Sequence, residues 1–210
     1  VAAVSLALAG VFLVQYGVEN GLLSPARRVS AAVLLGLVLI GAGEYVRRKL
    51  GHDEEGNFAL LPSTFSGAGL VSMFAGILSA RMMYGLIGPE VAFVGLAVTG
   101  ALAVVLGWFY GPLLAIVGVF GALAAPFLVG GDSDVSQFLY FYFAGIAAAA
   151  LTIDTIKRWA WLSTFGLIGA YGAAGLLKLG AGQEHYFVAF ALIAAGLAAT
   201  IPVRNLMPNQ

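Results

Sequence analysis

The sequence predicts an all-α fold, a polytopic bundle of about eight transmembrane helices. Hydrophobic residues make up 61% of the 210 positions and charged residues only 10%, whereas a soluble domain is about 45–50% apolar and about 25% charged. The apolar residues also fall in runs of about 18–25 residues, the length that crosses a bilayer as a helix. Lipid offers backbone amides no partner, and runs such as 31–40 lack the alternation of a barrel strand, so the runs are predicted as helices.

Turn residues and charges mark the first three predicted spans. The first span, 1–18, ends where Asn20–Gly21 and Ser24–Pro25 supply turn chemistry. Pro25 suits the first turn of the second span, 26–46, which ends at a basic run of Arg47, Arg48 and Lys49. A polar loop then leads to the third span, 59–85.

Short polar or glycine-containing segments separate the other five spans. These spans are predicted at 89–108, 112–130, 135–156, 159–179 and 186–202. The last of them stops at Pro202 and Arg204. Aromatic side chains lie near the predicted helix ends, the depth at which amphipathic rings settle at the headgroups: Tyr45, Phe58, Tyr84, Trp108, Phe109, Tyr110, Trp159, Trp161 and Tyr186.

The whole chain, 1–210, is expected to form a single integral-membrane domain. Because it begins with Val1 and an apolar run, it is expected to be an excerpt of a longer protein. Similar residues recur about four spans apart, as in Ser63-Thr64-Phe65 with Gly69 and Ser163-Thr164-Phe165 with Gly169. An even offset keeps helix direction, so the recurrence indicates a parallel four-plus-four repeat. The alternative is chance similarity between apolar helices.

Lys and Arg are distributed unevenly between the two ends of the predicted bundle. One end carries Arg47, Arg48, Lys49, Lys157, Arg158 and Arg204; the other carries Arg27, Arg28, Arg81 and Lys178. The positive-inside rule places the first end in the cytoplasm. The prediction is therefore a multi-pass protein of the bacterial cytoplasmic membrane, with both ends of this segment cytoplasmic.

Charged groups near the spans are the candidate site residues, because ionisable side chains are costly in lipid. On the cytoplasmic side, two local ion-pair groups are predicted: Glu44 with Arg47 and Arg48, and Asp154 with Lys157 and Arg158. On the opposite side a polar cluster is predicted, either a ligand vestibule or the polar rim of a bundle. Its members are Glu19, Arg27, Arg28, Arg81, Glu90, Lys178 and Glu184. Arg81 and Glu90 are expected to pair across their turn, and Pro126 is expected to kink the fifth span.

Other function classes have little support in the sequence. There is no Cys and no net charge, and the two His lie in predicted loops. No phosphate-binding glycine loop is present, and no acidic residue lies at a helix centre. We therefore expect no catalytic residues, no metal, no cofactor and no nucleic-acid partner.

The hairpin Tyr16-Gly17-Val18-Glu19-Asn20-Gly21-Leu22-Leu23-Ser24-Pro25-Ala26-Arg27-Arg28 and the helix end Gly43-Glu44-Tyr45-Val46-Arg47-Arg48 resemble one family. It is the bacterial predicted membrane proteins of the domain-of-unknown-function (DUF) family 2339. The resemblance extends to about residue 130, through Ser66-Gly67-Ala68-Gly69 and Ala125-Pro126-Phe127-Leu128. It implies a longer parent protein with more spans, and it transfers no catalytic residue.

Two functional hypotheses follow from this composition. The first is a structural or accessory subunit that contacts lipids and other membrane subunits, or its own copies, through helix faces of small residues. The second is a transporter or flippase-like protein for a small molecule or lipid. The second rests on the repeat, on Pro126 and on the polar cluster.

Overall fold

The computed structural model describes residues 24–50, 61–130, 136–181 and 184–201. These residues form seven α-helices: α1 Pro25–Leu50, α2 Leu61–Leu78, α3 Pro89–Tyr110, α4 Pro112–Val129, α5 Ser136–Lys157, α6 Ala160–Ala181 and α7 Glu184–Thr200. A π-helical turn, Ser79–Met83, extends α2. No strand occurs in these ranges, so the predicted all-α class is confirmed.

The helices α1 to α6 are long and apolar enough to cross a membrane. Helix α7 is also apolar, and its 17 residues lie at the lower limit of the range of about 17–25 residues for a span. The first predicted span, 1–18, lies outside the described residues. The predicted bounds of the other seven lie within a few residues of the helices. The third span differs most, because its last part is the π-helical turn.

Proline and glycine determine where α3 and α4 begin. Pro89 and Pro112 are the first residues of these helices. The N–H group at this position has no acceptor within the helix, so proline, which lacks it, loses no hydrogen bond. A single residue, Gly111, joins the end of α3 to the start of α4, and its φ of +109° is one that side-chain-bearing residues rarely adopt. Consequently α3 and α4 form a tight antiparallel hairpin.

Glycines allow α1 and α2 to approach backbone to backbone. A Cβ added at Gly69 would lie 2.5 Å from the Gly36 carbonyl oxygen, and one at Gly43 would lie 2.6 Å from the Ser66 Oγ. The same relation holds in the next hairpin, where Gly107 of α3 lies against the backbone of Ala115 in α4. Small residues at such crossings let membrane helices gain dispersion contacts that larger side chains would prevent.

Helix α4 connects the two parts of the bundle. Its Ala125 and Val129 pack with α3 and α2, whereas its Val119 and Leu123 join the core formed with α5, α6 and α7. The largest buried side chains of that second core are Tyr140, Phe143, Phe190 and Leu162.

The predicted four-plus-four repeat stays a prediction. The two Ser-Thr-Phe segments lie in the first two turns of α2 and of α6. Each of these helices is the second helix of an antiparallel hairpin, α1–α2 and α5–α6. The glycines that follow contact different neighbours, however. Gly69 lies against α1, whereas Gly169 lies against Leu123 of α4.

Candidate functional site

The antiparallel hairpins sort the charged residues between two ends of the bundle. The Arg47 end contains the last turns of α1, α3 and α5 and the first turns of α2, α4 and α6. The Arg81 end contains the opposite termini and the start of α7. Every candidate site residue among the described residues lies near one of these two ends.

Glu44 is the centre of a charged network at the Arg47 end. Its Oε1 accepts hydrogen bonds from Arg47 Nη2 at 2.7 Å and from Arg48 Nε at 2.6 Å. Its Oε2 accepts from Arg47 Nε at 2.9 Å and from the Tyr110 hydroxyl at 2.6 Å. The predicted group of Glu44, Arg47 and Arg48 is therefore formed. Because Arg47 binds both carboxylate oxygens, this pair is the strong bidentate kind.

Tyr110 makes this network tertiary, since it links α3 to α1 across 66 positions of sequence. The sequence analysis identified Tyr110 only as an interfacial ring. Beside the network lies Ser66 of α2, whose hydroxyl is fully buried. Its Oγ makes no hydrogen bond to any described residue, although the Tyr110 hydroxyl is its neighbour.

Two cations at the Arg47 end lie over aromatic rings of the last turn of α3. The guanidinium carbon of Arg47 lies 5.2 Å from the Phe109 ring centroid, and Lys157 Nζ lies 5.1 Å from that of Trp108. Cations are favourable here for two reasons, the quadrupole of the ring and the negative end of the helix dipole. The end of α3 is thereby held between α1 and α5.

The predicted ion pair of Asp154 with Lys157 and Arg158 is wrong. The acids that form ion pairs in the described ranges are Glu44 and Glu184. Asp154 Oδ2 instead accepts a hydrogen bond from Ser163 Oγ at 2.6 Å. Lys157 reaches Trp108, and Arg158 occupies the α5–α6 turn with a φ of +57°. The chain reverses directly after Lys157, so the first turns of α6 lie nearer to Asp154 than the basic side chains do.

The described members of the predicted polar cluster all lie at the Arg81 end. Lys178 and Glu184 do pair, at 3.4 Å, and so link α6 to α7. Arg28 Nη1 donates to the Tyr84 hydroxyl at 3.4 Å and so links α1 to the end of α2. Arg27 is exposed at the start of α1, and Glu19 lies outside the described residues.

The expected pairing of Arg81 with Glu90 is also wrong. Among the described residues no ion pair within 4.0 Å joins these two side chains. Arg81 lies in the π-helical turn and Glu90 in the exposed first turn of α3. The segment between them includes Gly85 with a φ of +58°.

Pro126 lies inside α4, which continues through it from Pro112 to Val129. A proline at this position removes one backbone hydrogen bond of the helix. Its neighbours Ala125 and Val129 are buried against α2 and α3. The proline thus lies in the helix that contacts both parts of the bundle.

The described residues contain no group of three or more His, Cys, Asp or Glu side chains placed to hold a metal ion.

The described residues contain an aromatic cluster that the sequence analysis did not identify, made of Tyr140, Tyr171, Phe187 and Phe190 on α5, α6 and α7. The spacing of Phe187 and Phe190, which places both on one helix face, was the available signal.

Comparison with known proteins gives one match. The family model described as predicted membrane protein, DUF2339, matches residues 1–206. No curated protein and no solved structure matches the chain. The family match covers nearly the whole chain and agrees with its apolar helices, so the protein is a multi-pass integral membrane protein that belongs to the DUF2339 family.

Proposed function

We propose that this protein is a structural or accessory subunit of a membrane complex, and that it contacts its partner through the outer face of α7. The observation that carries the proposal is a group of exposed small residues in the last turns of α7. Ala195, Gly196 and Ala199 are exposed, and a Cβ added at Gly196 would meet no atom within 4 Å. Their spacing places all three on one side of the helix.

The glycines of the chain fall into two classes that support this proposal. In α1 to α4, glycines such as Gly36, Gly69 and Gly118 lie against neighbouring backbone. Gly166 and Gly169 of α6 lie against neighbouring side chains, whereas Gly41 of α1 and Gly145, Gly172 and Gly196 of α5 to α7 have nothing within 4 Å. Small residues on membrane helices serve close approach of another helix. The first class meets that purpose within the chain. From the second class we assign Gly196 to a partner, because it lies beside the exposed small residues Ala195 and Ala199.

The test is copurification from native membranes in mild detergent, with partner proteins identified by mass spectrometry. Gly196→Leu is expected to abolish copurification of a stoichiometric partner, because the added side chain blocks close approach. Gly41→Leu is the matched control, since Gly41 of α1 is also exposed with nothing within 4 Å. A monodisperse monomer without any copurifying protein contradicts the proposal. An unaffected Gly196→Leu complex contradicts the assigned face.

We further propose that the membrane is the bacterial cytoplasmic membrane and that the Arg47 end faces the cytoplasm. The support is the basic excess at that end. Because the chain has no Cys, single cysteines report sidedness directly. In intact cells an impermeant thiol reagent is expected to label Met83→Cys, which is exposed at the Arg81 end, and not Lys49→Cys. The reverse pattern contradicts the orientation.

A transporter is the second candidate, and the observation that favours it is the position of Pro126 in α4. A bend at this helix would separate α2 and α3 from α5 and α6. A transporter must admit water to the midplane, so a charged thiol reagent should modify Thr99→Cys. Thr99 lies midway along α3 and is 1% exposed. Failure to react from either side of membrane vesicles counts against transport and leaves the subunit proposal intact.

A further inference from the structure

The hydroxyl of Tyr140 is a buried hydrogen-bond donor without a partner. The residue is 1% exposed, and its Oη contacts no donor or acceptor in the described part of the chain. Two other tyrosines of this half differ from it. Tyr142 donates to the Ala122 carbonyl at 2.9 Å, and Tyr171 donates to the Ala191 carbonyl at 3.1 Å. Buried polar groups are nearly always bonded, so Tyr140 calls for an acceptor that the described residues do not supply.

Aromatic rings surround this hydroxyl-bearing ring. Tyr140 lies 6.5 Å from Phe187 and 6.4 Å from Phe190, measured between ring centroids, and Phe190 lies 5.2 Å from Tyr171. These distances fall in the range of edge-to-face and offset contacts. The rings come from three helices, so a separation of these helices would expose ring faces together with one donor.

The aromatic cluster lies just below a charged rim. Tyr140 is four residues into α5, about 6 Å along the helix axis at 1.5 Å per residue. Lys178 Nζ lies 5.3 Å from the Phe187 ring centroid and pairs with Glu184. The donor therefore lies beneath the headgroup level at the Arg81 end. That depth suits a molecule whose ring is dissolved in lipid and whose polar edge faces the interface.

From this arrangement we infer that the cluster of Tyr140, Tyr171, Phe187 and Phe190 is a binding site for the ring of a quinone-type molecule. Tyr140 donates its hydroxyl hydrogen to a ring carbonyl, and the aromatic side chains pack against the flat, apolar ring. A phospholipid ester also offers a carbonyl, but it has no flat ring for the aromatic side chains to contact. The quinone therefore accounts for both observations.

Entry to this site involves α7. It is the shortest of the seven described α-helices, at 17 residues, and it packs on α5 and α6. Its outer side is exposed at Val188 and Leu192. Because Phe187 and Phe190 belong to α7, movement of this helix away from α5 opens the space beside Tyr140.

The experiment titrates the purified full chain, in ether-lipid nanodiscs, with a decyl-substituted benzoquinone and follows the thermal unfolding midpoint. The wild-type midpoint is expected to rise with quinone concentration to a plateau. Tyr140→Phe is expected to bind about tenfold more weakly, the loss that corresponds to one hydrogen bond. Without quinone its midpoint should equal or exceed that of the wild type, because the substitution removes an unpaired buried hydroxyl.

Tyr142→Phe is the matched control, because it removes a hydroxyl that is already bonded within the protein. Its midpoint is expected to fall without quinone, whereas its quinone affinity is unchanged. A midpoint that does not respond to quinone overturns the inference. So does a quinone-free Tyr140→Phe midpoint below that of the wild type. The same quinone-free comparison is made in ester-lipid nanodiscs. If the Tyr140→Phe midpoint is lower than that of the wild type only in ester lipids, the acceptor is a lipid carbonyl. If it is lower in both lipids, the acceptor is water.

Discussion

Gly69→Ala is the sharpest test of how α1 is attached to the bundle. The added Cβ would lie 2.5 Å from the Gly36 carbonyl oxygen and 2.9 Å from Ile40 Cγ1. Ordinary contact between carbon and a carbonyl oxygen begins near 3.3 Å, so α1 and α2 must separate by about 0.8 Å. The obstacle is backbone, and therefore a change of rotamer cannot relieve it.

The free-energy cost of this separation is estimated from two opposing effects. Overpacking typically destabilises a protein by about 1–3 kcal/mol, and a gap of 0.5–1 Å forfeits a quarter to a half of the dispersion energy across the interface. The gain in helix propensity from Gly to Ala offsets about 1 kcal/mol. Only 11% of the residues in the most apolar stretch of α1 are buried, so few other contacts compensate. Because the lost dispersion energy adds to the overpacking cost, we expect a net loss of about 1–2 kcal/mol.

The assay is reversible unfolding in mixed micelles with increasing dodecyl sulfate, followed by circular dichroism. Gly41→Ala is the control on the same helix pair, because nothing lies within 4 Å of its added Cβ; it should be neutral or slightly stabilising. If Gly69→Ala unfolds within 0.5 kcal/mol of the wild type, a value below the overpacking range, the close backbone contact does not hold α1 in place.

Three further substitutions test the contacts at the Arg47 end by the same assay. Tyr110→Phe removes the donor to Glu44 and is expected to cost about 1.5 kcal/mol, the low end for a hydrogen bond to a charged group. Arg47→Lys keeps the charge but loses the bidentate geometry, and the free energy of unfolding is expected to fall by about 1 kcal/mol. Ser163→Ala leaves Asp154 without its donor, and we expect a loss of about 1–2 kcal/mol because Ser163 is buried.

Each of these substitutions has a matched control. Tyr45→Phe removes the hydroxyl of an exposed tyrosine on α1 that accepts a hydrogen bond from the exposed Lys49, and should change little. Arg48→Lys alters the more exposed of the two arginines, 77% against 39% for Arg47, so a cost equal to that of Arg47→Lys argues against the bidentate pair. Thr164→Ala affects an exposed hydroxyl bonded within its own helix. If it proves as costly as Ser163→Ala, the bond to Asp154 has no special role.

The helix boundaries could be predicted because their causes are local. Pro89 and Pro112 begin helices for reasons that belong to proline itself, and Gly111 supplies a conformation that few other residues adopt. The pair of Glu44 with Arg47 was likewise predictable, since residues three apart share a helix face. The same rule failed for Asp154, where a nearby donor from the next helix replaced the local cations.

The sequence alone determined that this protein lies in the lipid bilayer and that its chain crosses the bilayer repeatedly as helices. Apolar runs of bilayer length and the lack of water for backbone amides require helices, whatever the helices then contact. The tertiary structure decided which charges and small residues meet. It brought Tyr110 to Glu44 and Lys157 to Trp108. It also packed Gly69 against backbone and left Gly196 open. These outcomes depend on the rotation and crossing of whole helices, which many weak packing contacts settle together and which no short stretch of sequence encodes.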